Sequence, residues 1–93
     1  MYKEHLAYDQ TPERTAAILT DEASAVHKGL LYEEVFPNDS SWYTLNIQTE
    51  LGDLLVMVKL LCEQKGWDPV EAEKVGAERF LVRMKELKEG RRE

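Results

Sequence analysis

Residues 49–62, Thr-Glu-Leu-Gly-Asp-Leu-Leu-Val-Met-Val-Lys-Leu-Leu-Cys, constrain this chain more than any other stretch. They read as the middle of a long helix that is apolar on almost every side, interrupted by Glu50 and Asp53. Positions three apart share a helix face, so the two carboxylates project together. Carboxylates in such a setting must be solvated, paired or neutralised by a cation, because burying them bare is costly. The same helix has two faces that are not solvent-like. Leu51, Leu54, Leu55, Val58, Leu61 and Cys62 form an ordinary core face, and Asn46, Glu50, Asp53, Met57 and Leu60 a second stripe. Only the side with Gln48, Lys59 and Glu63 reads as freely solvated. A helix of this kind needs neighbours on two sides, more than a hairpin supplies.

The flanking sequence predicts two more helices. Thr11-Pro12-Glu13 opens the first, with Thr11 as N-cap, Pro12 in the first turn and an acid near the positive end. Its core face is expected to be Leu19, Ala23, Val26 and Leu30, running to Phe36-Pro37 unless Gly29 bends or ends it. Residues 37–41 read as a turn, with Ser40 or Ser41 capping the central helix from Trp42 to Lys65, and Gly66 as its stop. Asp68-Pro69-Val70-Glu71 starts the third helix in capping-box form, with Trp67 as a hydrophobic staple. The apolar face there is Val70, Ala77, Phe80, Leu81, Met84 and Leu87. No stretch alternates with period two for long enough to suggest a strand. The expected fold is all-α: one domain over residues 1–93, an antiparallel bundle of three main helices completed by dimerisation. Residues 1–10 form an N-terminal arm and 88–93 a charged tail.

Composition narrows the function. A chain of 93 residues buries only about 60–65% of its extended surface, which favours self-association. A net charge of -6 argues against nucleic-acid polymers and anionic membranes as partners. The single cysteine, Cys62, sits among leucines as a small core residue and points to a reducing cytoplasm. The polar start has no secretory core region, and the apolar run Leu54 to Val58 is far short of the ~20 residues a membrane span requires.

A third acid comes from the first helix, where Ile18, Glu22, Ala25 and Gly29 form a stripe beside the core face. Antiparallel packing through a short turn would set Glu22 opposite Glu50 and Asp53. Three converging carboxylates repel one another unless a divalent cation neutralises them, and hard oxygen ligands suit Mg²⁺ or Mn²⁺. Such a cation suits a polyanionic substrate, most simply a phosphate ester. The competing reading of Glu-x-x-Asp is a solvated face or a partner for a lysine. Neither His27, on the far side from Glu22, nor the His and Cys content gives a zinc pattern.

Gln10-Thr11, then Leu19-Thr20-Asp21-Glu22-Ala23-Ser24-Ala25-Val26, then Glu50-Leu51-Gly52-Asp53-Leu54-Leu55, resemble the MazG family of all-α nucleoside triphosphate pyrophosphohydrolases. Glu78-Arg79-Phe80-Leu81-Val82-Arg83-Met84 resembles the family's third segment, so the likeness spans roughly residues 10–85. That family carries E-x-x-E on one helix and E-x-x-D on the next, four acids that hold magnesium. By position, Glu22 matches the first acid, Glu50 the third and Asp53 the fourth, while the second falls on Ala25. Asp21 lies about 100° round the helix from Glu22 and is no clean substitute.

The resemblance implies hydrolysis of a nucleoside triphosphate to monophosphate and pyrophosphate. Mg²⁺, or Mn²⁺, on Glu22, Glu50 and Asp53 would polarise the phosphates, and Glu50 would accept the proton of the attacking water. Lys28, Arg79 and Arg83 are the candidate triphosphate cations, each with a plain surface charge as its alternative. Trp42 can stack on the base or pack against a neighbouring loop. The alternative function, suggested by Ala25, is a helical dimer that binds nucleotide or metal with weakened or lost turnover.

Overall fold

The computed structural model describes residues 1–90, with side chains described at 1–38 and 46–90. Among the described residues the chain is all-helical, with three long helices and no strand. These are α1 (Pro12–Val35), α2 (Ser40–Lys65) and α3 (Pro69–Lys88). Short 3-10 turns at Lys3–His5 and Pro37–Asp39 precede α1 and α2.

The expected helix signals act where the sequence put them. Thr11 caps α1 by accepting a hydrogen bond from the Arg14 N–H, with Pro12 in the first turn. Asp68 caps α3 by accepting from the Val70 N–H at 2.9 Å. Gly66 ends α2 at φ 71°, a left-handed conformation that glycine adopts without a Cβ penalty. There Gly66 N–H donates to Glu63 O and Trp67 N–H to Cys62 O, the paired bonds of a Schellman motif. Trp67 does not bury itself as a staple: it is 56% exposed, with Lys65 Nζ 5.6 Å from its ring centroid. The capping roles expected of Ser40 and Ser41, and the position of the Trp42 side chain, lie outside the described side chains.

Two expectations need correction. Gly29 does not end α1, which continues to Val35. A Cβ at position 29 would lie 2.6 Å from Ile47 Cγ1, so the glycine is used for close approach of α2. The second correction concerns which stripes pack. Between α1 and α2, the inner faces carry Thr15, Ile18, Glu22, Ala25 and Gly29 on one side, and Ile47, Glu50, Leu54, Met57 and Leu60 on the other. Leu30, Leu51, Leu55 and Val58, expected in the core, are exposed instead. Small residues on the Glu22 stripe allow the helices to close, and Leu51, Leu55 and Val58 lie outside the contact.

Antiparallel α1 and α2 form a hairpin, and α3 stands away from it. α3 meets α2 near the elbow that joins them and makes no close backbone approach to α1. Among the described residues, few side chains are buried: Thr15, Leu60 and the free Cys62. The Thr15 hydroxyl accepts from Gln10 Nε2 at 2.8 Å and donates to Thr11 O, so its burial leaves no unmet polar group.

Glu63, expected to be solvated, instead holds the N-terminal arm. Its carboxylate accepts from the N-terminal amine at 2.7 Å and from the Tyr2 and Lys3 N–H groups at 3.0–3.1 Å. Those donors, led by the amine and the Tyr2 amide, bring the Glu63 carboxyl down to about 2. Nothing in the sequence marks this contact, because two of its three donors are backbone amides.

Among the described residues, no helix is long and apolar enough to cross a membrane.

Candidate metal centre

The register of the hairpin creates the site. As one partner moves from Gln10, just ahead of α1, to Glu22 and Gly29 on it, its counterpart moves back along α2 from Gln64 to Asp53 to Ile47. At the middle of this ladder Glu22, Glu50 and Asp53 each offer one carboxylate oxygen, and the three lie within 4.8 Å of one another. Glu22 and Glu50 are half-buried and Asp53 is exposed, so the cluster has one open side.

The electrostatics of the cluster are strained. Burial, reinforced by the charges of Asp53 and Glu50, holds the Glu22 carboxyl above its ordinary value. Glu22 Oε1 is buried and has no hydrogen-bond partner among the described residues. A buried carboxylate oxygen without a donor, on a residue grouped with two further carboxylates, is an arrangement that a bound cation would relieve.

Size provides a second check on the fit. Two oxygens on opposite sides of one Mg²⁺ lie about 4.2 Å apart, and on Ca²⁺ about 4.8 Å. Three oxygens within 4.8 Å of one another are therefore close enough to share one hard divalent cation once the side chains close around it. The donor set is all oxygen and anionic, as Mg²⁺ and Mn²⁺ prefer. Three carboxylate oxygens would leave the remaining positions of an octahedral ion to other ligands such as water.

The other expected site residues are distributed differently. Ala25 is half-buried on the same face as Glu22, one turn along α1, and brings no oxygen to the cluster. Lys28 is exposed and borders a shallow apolar depression with Leu31, Tyr32, Val35 and Phe36, well round the helix from Glu22. Arg79 and Arg83 line an open depression on α3 with Glu78, Val82 and Glu86. No α1 or α2 residue lines it, so within one chain these arginines do not meet the acids. Trp42 belongs to the side chains not described. His27 is exposed, as expected of a surface histidine.

The sequence reading also missed how the cluster is held. Ile47 against Gly29 sets the separation of the helices two turns from Glu22, and Gln64 Nε2 donating to Gln10 O at 2.7 Å pins the far end. An i and i+7 relation between Glu22 and Gly29 was visible; the partner of Gly29 was not. Comparison of this chain with known protein families, with curated proteins and with solved structures finds no match.

Proposed function

We propose that this chain is a magnesium-dependent, MazG-like nucleotide pyrophosphohydrolase that hydrolyses a nucleoside triphosphate to monophosphate and pyrophosphate. The observation that supports it is the meeting of Glu22, Glu50 and Asp53 within 4.8 Å, with a buried and unpartnered oxygen on Glu22. Mg²⁺ or Mn²⁺ held there would supply Lewis-acid polarisation of the phosphates and a more acidic bound water. Glu22, fixed by burial on α1, and Asp53, on the open side, are the holding ligands. Glu50, half-buried like Glu22, is assigned the additional role of proton acceptor for the attacking water.

Triphosphate charge has to be met by cations as well, and in one chain Lys28, Arg79 and Arg83 lie apart from the acids. The reading therefore includes a homodimer, or a dimer of dimers, in which α3 of one chain approaches the acids of another. Trp42, two turns before Glu50, is assigned to stacking on the base. A single free cysteine, buried in the hairpin, suits a reducing cytoplasm.

The test is incubation of purified protein with each common ribo- and deoxynucleoside triphosphate in Mg²⁺. Pyrophosphate is expected from at least one of them, and an Asp53→Asn variant should release none. Silence with every triphosphate, matched by the variant, would sink the catalytic reading. A second reading is favoured by Ala25 at the place of a fourth acid: a dimer that binds nucleotide or metal with little or no turnover. Activity that emerges only in Ala25→Glu would decide for it.

A further inference from the structure

Glu63 lies in the last turn of α2, at the negative end of the helix, where a carboxylate gains nothing from the helix itself. Its side chain is nevertheless only 24% exposed, because the N-terminal arm lies on it. Glu63 Oε1 accepts from the Met1 ammonium at 2.7 Å and from the Tyr2 and Lys3 amides at 3.0 and 3.1 Å. Oε2 accepts from the Tyr2 amide at 3.1 Å. Glu4 makes a longer contact with the same ammonium, at 3.6 Å. The bond to Glu63 also holds the Met1 amine above its ordinary pKa.

These donors differ in what they require. The Tyr2 and Lys3 amides are present whatever stands ahead of them. The ammonium is not: an acyl group on its nitrogen leaves a neutral amide with one N–H in place of a charged group with three. A formyl group, an acetyl group and a preceding residue all have this effect. Glu63 then loses the one cationic partner that offsets its place at the negative helix end.

The arm that this contact holds also walls a cleft. Lys3, Leu6, Tyr8 and Asp9 line a space of about 620 Å³ together with Gln64 of α2. The arm is tied to α2 at both of its ends, by Glu63 at its start and by Gln64 Nε2, which donates to Gln10 O at 2.7 Å.

We infer that Glu63 reads the chemical state of the Met1 nitrogen: a free α-amine closes the arm on α2, and an acylated one releases it. N-terminal acylation, or any residue placed ahead of Met1, is then a switch on the arm and on the cleft it walls. The contact uses none of the clustered acids, so the switch stands whether or not Glu22, Glu50 and Asp53 hold a cation.

The full chain can be prepared with a free amine and with an acetylated one, each with Glu63 or with Glu63→Gln. Amide exchange at Tyr2 and Lys3 reports the arm, each rate being divided by that of a peptide of residues 1–10 with the same N-terminus. In the natural protein acetylation should speed this normalised exchange about threefold or more, the scale of an exposed charge pair. In Glu63→Gln exchange should already be fast and acetylation should add nothing, since both changes break one contact. Equal exchange in the free and acetylated natural protein overturns the inference. An acetylation effect of full size in Glu63→Gln overturns it too, because the partner of the amine then lies elsewhere. Should Glu63→Gln lose its helical circular dichroism, the natural chain with two residues added ahead of Met1 replaces it. That form should exchange as fast as the acetylated one, and protection equal to that of the free amine overturns the inference.

Discussion

Gly29 and Ile47 face each other so closely that a single added methyl group would lie 2.6 Å from Ile47 Cγ1. Two turns along α1, the same inner stripe delivers Glu22 to Glu50 and Asp53. The glycine at the tight end of the hairpin therefore controls the separation at which the acids meet.

Gly29→Ala and Gly52→Ala should shift stability in opposite directions. Both glycines lie inside helices, where alanine gains about 1 kcal/mol. At Gly52 no atom lies within 4 Å of the added Cβ, so that gain should appear, raising Tm by about 4–8 °C. At Gly29 overpacking against Ile47 costs about 1–3 kcal/mol and outweighs the gain. Thermal unfolding of the two variants side by side provides the check. An equal rise in both would show that the helices do not approach this closely.

Glu22 should make metal-free stability fall with rising pH. Its folded pKa is raised above 4.5, so the native state binds more protons than the unfolded chain between 4.5 and the raised value. The protonated form is tolerated below that window, and the full penalty for the carboxylate is present above it. Glu22→Gln should flatten this part of the pH profile and raise metal-free Tm. It should also weaken Mn²⁺ binding on the order of tenfold or more. Calorimetric melts from pH 4 to 8, with and without Mg²⁺, separate these effects. In the natural protein Mg²⁺ at 100 times its Kd should stabilise by about 2.7 kcal/mol.

Glu63 has the opposite sign. Its folded pKa is lowered from 4.5 to about 2, so its contribution is fully present above 4.5 and is lost as pH falls towards 2. Glu63→Gln should release the arm at every pH. Amide exchange at Tyr2 and Lys3, followed by nuclear magnetic resonance at pH 5, should accelerate in the variant. Unchanged exchange would mean that Glu63 does not hold these amides.

Ala25→Glu should tighten the proposed cation site. Position 25 shares the inner face with Glu22 one turn away, so a carboxylate there adds an oxygen to the same side of the hairpin. Mn²⁺ affinity measured by isothermal titration should rise about tenfold, as one more charged ligand joins the set. No gain would place the new side chain outside the cluster.

Helix ends were legible because they depend on neighbours in sequence. Thr11 reaches Arg14, Asp68 reaches Val70, and Gly66 needs only its own backbone freedom. The Glu50 and Asp53 pair was legible for the same reason, since three residues on a helix make one face. Choosing among apolar stripes was not possible on that basis. Leu51, Leu55 and Val58 look like a core face by composition, yet the hairpin closes on the stripe that has glycine, alanine and threonine opposite it.

By itself, then, the sequence determined three helices, the N-caps of α1 and α3, the stop of α2 at Gly66 and the presence of acids on two of the helices, through contacts between near neighbours in the chain. Tertiary structure alone decided the register that sets Gln10 by Gln64 and Gly29 by Ile47, the capture of the arm by Glu63, and the separation of α3 from the hairpin. These depend on which surfaces fit at close range, and fit between distant segments is a property of shape in three dimensions. The acids that opened as a pair on one apolar helix became a three-carboxylate cluster because α1 closes on α2 at Gly29 and brings Glu22 to them.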